Sequence, residues 1–230
     1  MNKKIGLIGD AHAEHKALYH ALNALMDLDL DLILCTGDIV DGTGDVDECC
    51  RLLVEYNVEC VRGNHDRWLI DNELRDLPDA TMPDSLLYSS LSYIKNLPKT
   101  IEIESASGKI LLSHGIGEDD MCFVHPDDYG YSIESNIPLQ ELIISAKYQT
   151  VIGGHTHMRM VRNFGSINLI NPGTLIAGKN PGFAALNCID NTVMFFDMDD
   201  NNNCKVSQIK TLLNNKVQGF NGITSPRRFP

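Results

Sequence analysis

The stretch KIGLIGD, Lys4–Asp10, is an apolar run that ends abruptly on Gly9-Asp10. A run this short and this apolar predicts a buried parallel strand rather than a half-exposed one. Residues 13–26 follow, with Ala17, Leu18, Ala21, Leu22 and Leu25 at helical spacing. DLILCTGD (Asp31–Asp38) predicts a second strand, VDECCRLLVEY (Val46–Tyr56) a second helix, and VECVRGN (Val58–Asn64) a third strand. Strand, helix, strand, helix, strand at this spacing builds right-handed βαβ units and a parallel sheet.

Beyond Asn64 the pattern changes. Residues 67–98 read as a helical, irregular insert broken by Pro78, Pro83 and Pro98. TIEIES and KILLSHG flank the turn-like ASG and predict an antiparallel hairpin. Residues 115–138 are loop-rich, and PLQELIISAK (Pro138–Lys147) reads as a helix with Pro in its first turn. TVIGGHTH, RMVRNFGSINLINPGT, GFAALNCID and TVMFFDMD then read as strands, expected to form a second, mostly antiparallel sheet. The expected fold is α/β, two sheets packed face to face with helices outside. One domain is expected over residues 1–230, with an Asn-rich turn at 200–203 and a loose tail from about 214.

Composition narrows the partners. A hydrophobic share of 43% and a charged share of 22% are ordinary for a globular chain of 230 residues, which is long enough to bury a core. The net charge of -12 argues against a general nucleic-acid binder or a ligand for anionic membranes. Phosphate substrates remain open, because bound cations reverse the field locally. Seven cysteines without a CxxC pair do not form a disulfide framework, which predicts a reducing compartment. Asp10 and His12 interrupt the first apolar run before it resembles a signal peptide, and no run has the length of a membrane span. A cytoplasmic protein is expected.

In open α/β sheets, ligands bind at the carboxyl ends of the strands. Here the first strand ends in Gly9-Asp10-Ala11-His12, the second in Gly37-Asp38, and the third in Gly63-Asn64-His65-Asp66. Later runs end in Ser113-His114-Gly115 and Gly154-His155-Thr156-His157. Five of the eight histidines sit at these ends, which predicts one site. His15, His20 and His125 read as helix-surface or loop residues. Carboxylate, amide and imidazole donors suit Mn, Fe, Zn or Ni, and the group count exceeds the needs of one ion. Two divalent ions about 3.5–4 Å apart can clamp a phosphate and deprotonate a bridging water for in-line attack.

The ordered motifs GDAH, GD, GNHD, SHG and GHTH resemble those of the calcineurin-like metallophosphoesterase family, from about Lys4 to beyond Asn171-Pro172-Gly173. The resemblance implies a two-sheet sandwich with flanking helices and two metal ions, manganese first and Fe/Zn or Ni as alternatives. It assigns Asp10, His12 and His157 to one metal, Asn64, His114 and His155 to the other, and Asp38 to the bridge. His65 would face the substrate as an acid or transition-state stabiliser, with Asp66 orienting it or capping the next helix. The implied reaction is hydrolysis of small phosphodiesters, phosphomonoesters or nucleotides by direct attack of metal-bound hydroxide.

Departures from the family's protein Ser/Thr phosphatases bear on the substrate. Those carry GDxVDRG and GNHE, whereas this chain reads GDIVDG, with Asp41 matching and Gly42 in place of Arg, and has Asp66 in place of Glu. Losing that Arg removes a bidentate phosphate clamp; Arg62 is a candidate partial substitute, with strand alternation pointing it away as the equal alternative. The pattern is closer to the small bacterial phosphodiesterase branch. A protein phosphatase and a non-catalytic scaffold of the same fold are the alternatives. Asn171–Thr174 reads as a turn shaping the pocket floor, Asp197, Asp199 and Asp200 as a solvated strand end, and Glu14 and His15 as pocket rim.

Overall fold

The computed structural model describes residues 1–73 and 77–213. The expected tail from about 214, and residues 74–76 of the expected insert, lie outside the described residues. Two sheets lie at the centre. The first has the order β11-β10-β9-β1-β2-β3 and the second β4-β5-β6-β8-β7. Strands β1 (Lys4–Ile8), β2 (Leu32–Cys35) and β3 (Glu59–Cys60) run parallel, as the alternation with α1 (His15–Met26) and α2 (Val46–Glu55) predicts. β4 (Thr100–Ser105) and β5 (Gly108–Ser113) form the expected hairpin.

The later strands divide between the sheets rather than forming one of their own. β6 (Thr150–Ile152), β7 (Met160–Asn163) and β8 (Asn168–Asn171) extend the β4–β5 hairpin, with β5, β6 and β8 mutually parallel. β9 (Gly182–Asn187) instead pairs antiparallel with β1, and β10 (Thr192–Met198) and β11 (Cys204–Thr211) continue that sheet outward. Periodicity marks a strand but not its partner, so these long-range pairings were not in the pattern. The sequence pattern does not mark β11, because it is an exposed edge strand carrying Lys205 and Lys210, with little apolar alternation.

Three apolar layers follow from the alternation of side chains along the strands. Ile5, Leu7 and Leu34 of the first sheet meet Ile110, Leu112, Ile152 and Ile170 of the second in the inter-sheet core. Ile8, Ile33 and Cys35 point the other way, onto Leu18, Leu22 and Leu25 of α1 and Leu52 and Leu53 of α2. Leu111, Val151 and Leu169 face outward onto Leu139 and Leu142 of the helix α6 (Ile137–Ser145). The insert holds a short 3-10 turn at Pro83–Ser85 and α4 (Tyr88–Lys95), and α5 (Tyr131–Glu134) lies in the loop-rich stretch. Helix α3 (Asn64–Ile70) begins earlier than expected, with Gly63 as its N-cap. All seven cysteines are free thiols, and no helix among the described residues is long and apolar enough to cross a membrane.

Candidate metal centre

The carboxyl ends of β1, β2, β3, β5 and β6 open toward one point between the two sheets. Asp10 is fixed there by backbone contacts to the NPGT turn. Its amide donates to Gly173 O (3.4 Å), and its carbonyl accepts from Leu175 N (3.0 Å) and Thr174 Oγ1 (2.8 Å). The Asp38 loop is tied to the first loop through Ala11 N and His12 N, which both donate to Asp38 O. Glycine is required where these loops close: a side chain at Gly63 would collide with Asp38 Oδ1, and one at Gly154 with Asp10 Oδ1.

Backbone strain accumulates at the same place. His12, Asp38, Asp41, His155 and His157 all hold φ between 42° and 66°. That left-handed region is costly for residues with a Cβ, and it persists where the surroundings over-determine it.

Two sets of donor atoms result. In the first, His12 Nε2 lies 3.1 Å from His157 Nε2, and His157 Nε2 lies 3.3 Å from Asp10 Oδ2. Asp10, His12, Asp38 and His157 place one potential ligand atom each within 4.8 Å of one another. In the second, Asn64 Oδ1 lies 2.8 Å from both His114 Nε2 and His155 Nδ1. Asp38 Oδ2 stands between the sets, 3.7 Å from His12 Nε2 and 3.3 Å from His114 Nε2. The seven residues that the resemblance singled out as ligands are therefore brought together, and Asp10, Asp38, Asn64 and His114 are each no more than 1% exposed.

The donor chemistry fits divalent cations. His12 Nδ1 donates to Val40 O (3.1 Å) and Asp41 O (2.9 Å), and His114 Nδ1 donates to Thr36 O (2.8 Å). The Nδ1 proton of each ring is thereby held by backbone, which leaves Nε2 as the atom turned into the site. Asp10 Oδ1 accepts from Thr36 Oγ1 (2.8 Å), while its buried Oδ2 has no hydrogen-bond partner among the described residues. An orphaned carboxylate oxygen beside facing ring nitrogens lacks a positive charge.

Titration follows the same logic. Burial pushes the Asp10 carboxyl up to about 7, against the charge of His114. Burial also opposes charge on His114, but the Asp38 carboxylate outweighs it and holds the imidazolium up to about 10. Burial opposes charge on Asp38 too, and His114 beside it keeps that carboxyl well below the ordinary range. Burial and neighbouring His12 push His157 down to about 3. The proton held on His114 thus stands where a cation would relieve the same field, and metal binding would displace it.

His65 lies outside the donor sets. Its Nδ1 donates to Asp41 Oδ2 at 2.6 Å, and Thr81 N holds the other Asp41 oxygen at 2.7 Å. Burial works against the charged imidazole, but the Asp41 hydrogen bond together with the charges of Asp38, Asp41 and Asp66 outweighs it and raises the pKa. The orienting carboxylate is thus Asp41, and of the two roles expected for Asp66, orienting His65 and capping the next helix, the structure shows the cap. Asp66 Oδ1 instead accepts from Ile39 N (2.9 Å) and Val40 N (3.3 Å), and Oδ2 from Gly63 N (2.9 Å). It closes a cap on its own helix and ties that helix to the Asp38 loop. Asp41 was visible in GDIVDG, but no strand period reaches a loop residue at φ 64°.

Asp66→Ala should therefore act on stability: three buried amides lose their acceptor, a cost of roughly 2–4 kcal/mol. A urea unfolding midpoint unchanged from wild type would contradict this role.

The profile of the calcineurin-like phosphoesterase superfamily domain matches residues 3–191, and the chain belongs to that superfamily. It is 29% identical over 117 residues to an uncharacterised protein of Methanocaldococcus jannaschii, a match spanning 48% of this chain and 48% of that relative. The chain therefore aligns with about half the length of this relative. Among solved structures, a hypothetical protein of Pyrococcus horikoshii OT3 superposes with TM-score 0.70 at 16% identity, covering 86% of this chain and 89% of that one. A metallophosphoesterase of Sphaerobacter thermophilus gives TM-score 0.64 at 20% identity over 86% and 89% of the two chains. At these identities the likeness is one of fold.

Proposed function

We propose that the chain is a metal-dependent hydrolase of small phosphoesters, holding two divalent cations on either side of Asp38. The observation that carries this reading is the position of Asp38 Oδ2 between two donor sets, within 3.7 Å of His12 Nε2 and 3.3 Å of His114 Nε2. Asp10, His12 and His157 would hold one cation, and Asn64, His114 and His155 the other. Bound there, the cations would polarise a phosphoryl oxygen and make a coordinated water acidic.

The chain's own residues supply the remaining chemistry. His65 keeps a proton on Nδ1 for Asp41, which leaves Nε2 to pass a proton to the departing ester oxygen. Asp41 positions the ring and favours its charged form. His12 and His114 offer Nε2 because backbone carbonyls hold their Nδ1 protons. Gly42 supports a small substrate over a phosphoprotein. Any side chain at 42 would collide with the His12 carbonyl, so this backbone leaves no room for the arginine clamp found in the protein phosphatases.

The reading predicts about two transition-metal ions per chain after loading with manganese, and hydrolysis of bis(p-nitrophenyl) phosphate that chelation abolishes. Elemental analysis and a colorimetric assay check both. A chain that retains no divalent ion and cleaves neither diesters nor monoesters would be a scaffold instead.

A further inference from the structure

Phe123 belongs to none of the three apolar layers, and its side chain stands 43% exposed beside the metal centre. Its ring lies nearly parallel to that of His155, with centroids 5.6 Å apart and 27° between planes. His125 meets the same ring at 4.8 Å and 57°, with its own side chain 46% exposed.

The loop that carries Phe123 is held from several sides. Asp119 Oδ1 accepts from Met121 N (2.9 Å) and Cys122 N (3.0 Å), and Asn136 Nδ2 donates to Phe123 O (3.0 Å). Arg67 of α3 grips both oxygens of Asp120, at 2.7 and 3.1 Å, and Arg162 Nη1 donates to His125 O at 3.0 Å. The backbone that carries the ring is thus held before any ligand arrives, which lowers the ordering cost on binding.

We propose that Phe123 is the platform on which the nucleobase of a nucleotide substrate stacks while its phosphate sits at the metal centre. This rests on the phosphoesterase reading and narrows its substrate class. A part-exposed aromatic ring stacked against His155 of the phosphate site matches the planar group that a sugar joins to phosphate in a nucleotide. Stacking of this kind tolerates any base, because every base has a π-face. His125, in contact with the same ring and itself 46% exposed, adds ring nitrogens able to hydrogen-bond the polar atoms of a base.

Calorimetry on the full chain loaded with manganese, carrying His65→Ala so that ligand is not consumed, tests this with AMP and ribose 5-phosphate. AMP should bind about tenfold to a hundredfold more tightly than the sugar phosphate, by the usual worth of one base–aromatic stack. Phe123→Ala and Phe123→Leu should bring AMP down to the affinity of ribose 5-phosphate, and Phe123→Tyr should restore the preference. The leucine variant keeps apolar cover over His155 without a ring face, and so separates stacking from shielding.

Equal affinity for the two ligands in the parent, no binding of either, or a parallel loss of both in the variants would overturn the platform. Turnover of bis(p-nitrophenyl) phosphate by the chain with His65 intact is scored separately. No turnover with the AMP preference intact removes the hydrolytic reading and leaves the platform standing. Turnover without that preference does the reverse.

Discussion

Asp38→Asn is expected to lower turnover by on the order of a hundredfold to a thousandfold and to reduce metal retention. The side chain is 1% exposed, and both oxygens are engaged. Oδ1 accepts from His65 N at 2.9 Å, while Oδ2 faces the two donor sets. Asparagine has one acceptor oxygen where two are used. Whichever way the amide turns, its NH2 group faces either the His65 amide or the space between the donor sets. It also removes the negative charge shared by both positions. Elemental analysis and steady-state kinetics on the same preparation check the two effects together. A variant that keeps both ions and wild-type turnover would mean that Asp38 does not bridge.

The second large effect concerns His65. His65→Ala should leave metal content unchanged, since the ring lies outside both donor sets, while kcat falls by about a hundredfold to ten-thousandfold. The loss should depend on the leaving group. An aliphatic alkoxide needs a proton as it departs and p-nitrophenolate does not, so the deficit should shrink on p-nitrophenyl esters. A deficit of equal size on both substrates would point to phosphate stabilisation rather than proton donation. Full activity on both would remove His65 from the chemistry. Because Asp41 Oδ1 still accepts from Thr81 N, the loop should survive the substitution.

The contrast between Asp41 and Asp66 marks how far the sequence could be read. Both lie within reach of the third and second strand ends, and both are adjacent to recognisable motifs. Asp66 follows His65 directly, so proximity along the chain made it the natural partner. In a helix, however, consecutive side chains point in different directions. Residue 66 is the third position of α3, and it turns back onto the amides of Gly63, Ile39 and Val40. Asp41 comes from the loop after β2, and it reaches His65 because the backbone at residues 38 and 41 adopts left-handed φ values.

The division of the late strands is a similar case. β9 was legible as a strand, but its partner β1 lies more than 170 residues earlier, at a register from Lys4↔Asn187 to Leu7↔Ala184. Phe123 and its contact with His155 were invisible for the same reason: a single aromatic in a loop has no period, and its neighbour is an element away in space.

The sequence by itself determined that buried strands stop on Gly-flanked Asp, Asn and His, because short apolar runs and their polar ends are local facts. It also determined the layered α/β character, through the alternation of strand and helix periods. Only the tertiary structure decided which strands share a sheet, that the ends of both sheets meet around Asp38, and which carboxylate holds His65. Those outcomes depend on long-range backbone pairing and on loop residues in strained conformations, and neither is written in the period of side chains along the chain.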